Sequence, residues 1–313
     1  MGHIRSLDLP WGKTEKLVQE LAWRDYWQQI WIDKKDEIKT DLKNQQTDVS
    51  NHEMPKAIVE ANTGIIEVDQ AIKELYSTGY MHNHMRMYVA AICCNVAKSH
   101  WLVPAKWLYS HLLDGDLASN HLSWQWVAGA FSNKKYVANQ ENINRFFEDN
   151  QKGTFLDVEY SAFENLEIPG VLLETVVPET VLVFPKQEPL ALDADKTTLI
   201  YNYYNIDPEW QVGEDVQRIF LIEPSFYKEN SVNQKCLDFA LELTENIKGI
   251  QLFIGEFMEL TEQISASHLI SKEHPTNNHY TGKTEERDWM SSTKGYHSSF
   301  FKFWKKCKKE IKW

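Results

Sequence analysis

The chain has 313 residues, 42% of them hydrophobic and 12% aromatic, enough for two domains with substantial cores. Its 45 Asp and Glu against 33 Lys and Arg give a formal charge of −12, which argues against a nonspecific polyanion binder while leaving room for a local basic groove. The four cysteines, Cys93, Cys94, Cys236 and Cys307, have no C-x-x-C spacing, so neither a disulfide framework nor a structural zinc site is expected. No signal peptide opens the sequence and no apolar run reaches about 18 residues, so no membrane association is expected and a reducing, cytoplasmic setting is.

Residues 1–12 read as a lead-in. From Lys13 a helical stripe of Leu17, Leu21, Trp23, Tyr26, Trp27, Ile30 and Trp31 predicts a helix buried against others, with Glu20 and Trp23 three apart on one side. The polar run 34–55 reads as a solvated helix end and loop to which no chemistry is assigned. Helical spacing returns over 65–77, is broken at Thr78-Gly79, and resumes over 82–98, from Pro104 to about Leu113, and over 117–130. Beyond Lys135 the signal weakens, and 151–195 reads as a linker with short extended pieces.

From Thr197 the pattern changes. Strands are predicted at 197–204, 218–223, 250–255 and 268–272, with helices at 236–247 and 258–264, which together imply parallel crossover units. The expected architecture is α plus α/β: an all-helical domain over 1–150, then a small parallel-sheet, Rossmann-like α/β domain over 196–313. Neither G-x-G-x-x-G nor a P-loop is present to make the second domain a nucleotide binder. The end, 298–313, is a basic amphipathic helix that fits either a packing role with a snorkelling Lys face or a polyanion contact.

Residues 78–130 carry more polar groups than a plain core requires. Asn83, Arg86 and Met87 share one side of a helix, and Asn120 and Trp124 lie four apart on another, which Asp116 can cap. With Asp114 arriving from the connecting turn, the set suits a large, mostly aromatic ligand with a polar edge. A metal enzyme built from the 11 His is disfavoured: His82 and His84, two apart, diverge on a helix, and no H-x-x-x-H occurs.

The blocks T78-G-Y-M-H-N-H-M-R-M87, L112-L-D-G-D-L-A-S-N120 and W124-Q-W126, with Trp101 and E20-L-A-W-R-D-Y26, resemble the flavin-binding helical domain of the DNA photolyase/cryptochrome family over about residues 13–130. The resemblance implies FAD as cofactor and chromophore, and UV-damaged DNA as partner. It implies flavin contacts from Arg86 paired with Asp114, from Asp116 near the ribityl and adenosine part, and from Asn120 facing flavin N5. A carboxamide there can donate to or accept from N5, whereas a carboxylate would oppose an anionic ring. Glu20, Trp23, Asn83, Met87 and Trp126 are similar to the wall on which repair enzymes of the family receive a flipped pyrimidine dimer. Asn83 and Met87 stand where the branch acting on the other main photoproduct has histidines, so the cyclobutane dimer is the implied lesion. Trp124 and Trp101 resemble the first two members of the photoreducing electron chain. The third member is expected near Asp48, where there is no Trp; Trp27, Trp31, Trp107 or a tyrosine could replace it.

Each assignment has a plainer alternative: a structural ion pair for Arg86 and Asp114, a core indole for Trp23, a satisfied amide for Asn83. Members of the family also carry a Ser/Thr-rich diphosphate-binding stretch that this sequence lacks, and His84 replaces a basic residue after M-H-N. The α/β half more weakly resembles the α/β domain that precedes the helical one in the family. The two domains would then occur in reversed order; an unrelated doubly wound domain is the other reading. The leading functional expectation is light-driven dimer repair, a lyase activity. A non-repair light or redox flavoprotein, and a binding module that has lost flavin, are the alternatives.

Overall fold

The computed structural model describes residues 2–311. They divide into two compact units, one of residues 26–179 and one of residues 2–25 with 180–311. No helix among the described residues is long and apolar enough to cross a membrane.

Helix α1 (Trp11–Lys34) supplies residues to both units. Its buried positions are Val18, Ala22, Tyr26, Trp27, Ile30 and Trp31, at the spacing of three and four expected of an inward stripe. Leu17 and Leu21, expected on that stripe, are exposed. They sit one residue, about a quarter-turn, from Val18 and Ala22, which take the inward face.

The 26–179 unit is helical. After α1 come α2 (Ile66–Thr78), α3 (Asn83–Ala91), α4 (Leu102–His111), α5 (Leu117–Ala128) and α6 (Gln140–Phe147). The predicted helix over 82–98 is α-helical only to Ala91; Ile92–Val96 widen into a π turn. Val68, Ile72 and Leu75 of α2 pack into one core with Met85, Tyr88 and Val89 of α3 and with Trp101 and Trp124. Helix α6 gave only a weak sequence signal, yet Asn139 caps it by accepting from the Asn142 N–H (3.1 Å). Of the extended pieces expected between 151 and 195, Thr175–Val176 pair antiparallel with Met54–Pro55.

The second unit holds a five-stranded parallel sheet of β1 (Thr198–Tyr201), β2 (Gln217–Ile222), β3 (Ile250–Ile254), β4 (Leu269–Lys272) and β5 (Lys283–Glu285). Their spatial order is β3-β2-β1-β4-β5, so the chain winds outward from β1 in both directions. Ile200, Ile219, Leu221, Phe253 and Leu269 form the buried face with Phe257, Leu260 and Ile264. Burial on both sides of β1 and of the last four residues of β2 explains why these strands read as near-continuous apolar runs, whereas the largely exposed edge strand β5, Lys-Thr-Glu, carries no such signal and is not among the predicted strands. The C-terminal helix is α7 (Phe300–Ile311), which buries Phe300, Phe303, Trp304 and Cys307 and turns Lys302, Lys305 and Lys306 outward. Its aromatic face lies on the first half of α1: Phe300 stacks on Trp23 (3.7 Å, 9°), and Trp304 lies parallel to Trp11 (6.5 Å). This is the packing alternative for the basic helix; Lys312 and Trp313 lie outside the described residues.

Gly79 ends α2 in the left-handed region (φ 74°), with its N–H donated to Leu75 and its carbonyl accepting from the Leu113 N–H (2.9 Å). A Cβ there would lie 2.4 Å from Leu113 Cγ. We expect Gly79→Ala to lower stability by about 1–2 kcal/mol from the backbone alone, with more from the clash. Urea unfolding of the variant against the wild-type chain measures it.

Candidate flavin site

The turn between α4 and α5 sets this site. Gly115 lies so close to the preceding turn that a Cβ would meet the Leu112 carbonyl oxygen at 2.9 Å. The tight bend projects Asp114 toward α3. There Arg86 donates from Nη2 to both carboxylate oxygens of Asp114 (3.0 and 2.9 Å) and from Nε to the Met81 carbonyl (2.8 Å). Arg86 is three-quarters buried while Asp114 is 58% exposed, so solvent screens the pair and its chief effect is to fix the guanidinium.

Asp116 caps α5, its Oδ1 accepting from the Ser119 N–H (2.8 Å) and its Oδ2 from Gln28 Nε2 (2.5 Å). Asn120 follows one turn later, buried, with Nδ2 donating to the Ala105 carbonyl (2.8 Å). That bond fixes which end of the amide is the donor. Trp124 is buried one further turn along, so Asp116, Asn120 and Trp124 run down one side of α5. Beside them the Ser119 hydroxyl is buried with no hydrogen-bond partner. An orphaned hydroxyl on the helix turn that also carries an oriented carboxamide is what the polar edge of a heteroaromatic ring would satisfy. The residues at this end therefore fit a flavin.

Of the candidate lesion-wall residues, Asn83, Met87 and Trp126 belong to the helical unit and Glu20 and Trp23 to the sheet unit. Asn83 begins α3 and is exposed, Met87 is half-buried, and Trp126 is 40% exposed with Tyr136 tilted against it (5.8 Å). Glu20, exposed, and Trp23 belong to the part of α1 grouped with the sheet unit, and one face of Trp23 is covered by Phe300. Composition gave no warning of that contact, which joins residues far apart in the chain.

Trp101 and Trp124 are both buried. Among the candidates for a third member, Trp27 and Trp31 are buried in α1, and Trp107 donates from Nε1 to the Tyr76 hydroxyl (3.2 Å). The Trp101 indole donates instead to Asp41 (2.7 Å), in the loop expected to carry no chemistry. The expectation that His82 and His84 diverge on a helix fails: His82 caps α3 from outside it, its Nδ1 accepting the His84 N–H, and the two rings stack at 5.4 Å.

Residues 17–159 match the family model described as the FAD binding domain of DNA photolyase. The deoxyribodipyrimidine photo-lyase of Streptomyces griseus is 35% identical over 116 residues, covering 37% of this chain and 26% of that protein. The Escherichia coli (strain K12) deoxyribodipyrimidine photo-lyase is 40% identical over 79 residues, covering 25% and 17% of the two chains. These alignments thus span about a quarter or less of each relative. Among solved structures, an archaeal photolyase from Sulfolobus tokodaii with two FAD molecules aligns at 22% identity and a TM-score of 0.36, over 52% of this chain and 41% of that one.

His121 is wholly buried on α5 with Trp101 and Tyr109 edge-on to it (5.7 and 6.4 Å), and burial pushes its imidazole down to about 3. In the unfolded chain the group titrates at about 6.5. The unfolded state therefore takes up a proton that the native state refuses. The contribution of His121 is complete above about pH 6.5 and is lost as pH falls toward 3. We expect unfolding free energy to drop on the order of a few kcal/mol between about pH 7 and pH 4. The drop should be smaller in His121→Gln, leaving the same-signed contribution of buried His274. Denaturant titrations at the two pH values measure both.

Proposed function

Because residues 17–159 belong to the DNA photolyase/cryptochrome family, we propose that this chain holds FAD and repairs cyclobutane pyrimidine dimers in UV-damaged DNA under light. The observation that carries the reading is the side of α5 from Asp116 to Trp124, with the Arg86–Asp114 pair held by the turn that starts the helix. When bound, FAD supplies light-driven one-electron transfer, chemistry that side chains cannot perform.

The protein's part is orientation, neutralisation and exclusion of water. Arg86, itself balanced by Asp114, offers a cation to the polar rim of the ring without leaving an unpaired buried charge. Asn120 is anchored through Nδ2, so its carboxamide faces the ring in one fixed sense. Asp116 holds the first turn of α5 in place, and its carboxylate is shared with Gln28. Asn83 in the helical unit and Glu20 in the sheet unit each carry groups able to read carbonyl and N–H edges of an extruded base, and Trp126 and Trp23 each carry an indole of the kind on which a base stacks. Met87, on the same side of α3 as Asn83, adds a polarisable apolar contact. A lesion already weakens pairing, which lowers the cost of extruding it. Trp124 and Trp101, both buried, are the residues that would feed an electron inward from the protein.

The covered face of Trp23 favours a second reading, a flavoprotein that responds to light or redox state without repairing DNA. The two readings separate cleanly. Under repair, purified protein takes up FAD, turns yellow, and restores intact pyrimidines from dimer-containing DNA only when illuminated. Yellow protein with no restoration selects the second reading, and colourless protein that acquires no flavin rejects both.

Two variants locate the roles. Asn83→Ala should lower repair by about tenfold, roughly the loss of one hydrogen bond, with flavin content unchanged; equal loss of flavin would move Asn83 to the cofactor side. Trp124→Phe should slow photoreduction of oxidised flavin while leaving repair by chemically reduced protein intact, and an unchanged photoreduction rate would remove Trp124 from the electron route.

A further inference from the structure

The loop that follows α1 closes over Trp101 as a built polar site. Asp41 Oδ2 accepts from the Gln46 N–H (2.8 Å); Gln46 in turn donates from Nε2 to the Ser99 carbonyl (2.9 Å) and accepts from the Trp101 N–H (3.0 Å). The next backbone group, the Leu42 N–H, is held by Gln125 Oε1 (3.1 Å). These bonds fix the other carboxylate oxygen, Asp41 Oδ1, at 2.7 Å from Trp101 Nε1 and 3.3 Å from His100 Nε2. Trp101 is 0% exposed, so its indole N–H has to find a protein partner. The partner it has is a charged acceptor, largely shielded from water, with an imidazole at its side. The His100 ring stacks on that of His52 (5.0 Å, 29°), which is exposed, so the cluster runs from the buried indole to solvent.

A ground-state indole is far too weak an acid for a carboxylate to deprotonate. An indole that has lost an electron is an acid comparable with a carboxylic acid, and the same hydrogen bond then becomes a proton-transfer coordinate. We propose that Asp41 is the proton acceptor for oxidised Trp101, so that the protein stores the electron vacancy there as a neutral indolyl radical. The proposal rests on the reading of this chain as a light-reduced flavoprotein. One electron leaves the Trp101 π-system through Trp124 toward a photo-excited oxidised flavin, the oxidant. The Nε1–H bond breaks, its proton passes to Asp41 Oδ1, and the carboxylate becomes a neutral acid. Charge is conserved at Trp101, which loses one electron and one proton together. His100 accepts the Leu102 N–H at Nδ1 (3.3 Å), so its neutral ring carries a hydrogen on Nε2 toward Asp41 and the transferred proton stays on Asp41. The consequence is that charge recombination at Trp101 requires the proton to return as well as the electron. A device of this kind stands in for the absent third tryptophan, by trapping the vacancy chemically where a longer row of rings would trap it by distance.

The test uses flash absorption on the full-length, flavin-loaded chain, with Asp41→Asn and Trp101→Phe. Asparagine retains a hydrogen-bonding oxygen but cannot take the proton. Wild type should yield the neutral indolyl radical, with its formation slowed in heavy water. Asp41→Asn should yield the radical cation and recombine about a hundredfold faster, the low end of what a positioned proton acceptor contributes. Trp101→Phe should abolish both signals. The same three proteins are also oxidised by an external ruthenium photosensitiser, which needs no flavin. There the Trp101-dependent difference signal should again be the neutral radical in wild type and the cation in Asp41→Asn. A cation in wild type, or a neutral radical of unchanged lifetime in Asp41→Asn, overturns the proposal in either arm. Loss of the flavin-driven signal alone, with the sensitiser result intact, overturns the flavin reading and leaves Asp41 as the acceptor.

Discussion

The bend from Leu112 to Asp116 is the constraint on which the rest of the helical unit depends. Within five residues it binds to the end of α2 through Leu113 and Gly79, delivers a carboxylate to Arg86 on α3, and starts α5 with a capping Asp. Each bond is modest alone, and the Arg86–Asp114 pair is too exposed to add much stability. Together they tie the ends of α2, α3 and α5 to one turn, the turn that starts the helix carrying Asn120 and Trp124. A glycine at 115 is required because backbone already fills the space a side chain would need. Geometry, more than energy, is what this turn contributes, and a ring-binding site needs it to within fractions of an ångström.

Much of this was legible in the sequence because it is local. The spacing from Asn83 to Met87, the Asp116 cap and the i, i+4 relation of Asn120 to Trp124 are all read within one or two helical turns. The sheet was legible for a related reason: strands buried on both faces announce themselves as apolar runs, and crossover helices between them force parallel pairing. What stayed hidden is what depends on contacts between distant residues. Nothing near Asp41 marks it as the partner of an indole 60 positions away, and its polar neighbours read as solvated loop. Phe300 on Trp23 and Asp25 accepting from the Met290 N–H (2.9 Å) are hidden for the same reason. Histidines 82 and 84 show the limit of helical periodicity: the rule holds only inside the helix, and His82 is the residue just outside.

The helical unit also keeps its polar groups in two different states. Asp116, Asn120 and Gln46 have their partners within the protein and act as struts. The Ser119 hydroxyl and His121 Nε2 are buried without one. Unmatched groups of this kind cost about 1–3 kcal/mol each when left alone, and α5 carries two of them within three residues. Stability given up at a site and recovered when a ligand arrives is a common arrangement in binding proteins.

The sheet unit is discontinuous: the first half of α1 groups with residues 180–311. The 26–179 region can complete its own core without them, whereas Trp11 and Trp23 meet Trp304 and Phe300 only across nearly the whole length of the sequence. Contacts of such high separation are slow to form, because loop-closure entropy is spent before any of them is made. The second unit is therefore the one whose assembly should limit the folding rate.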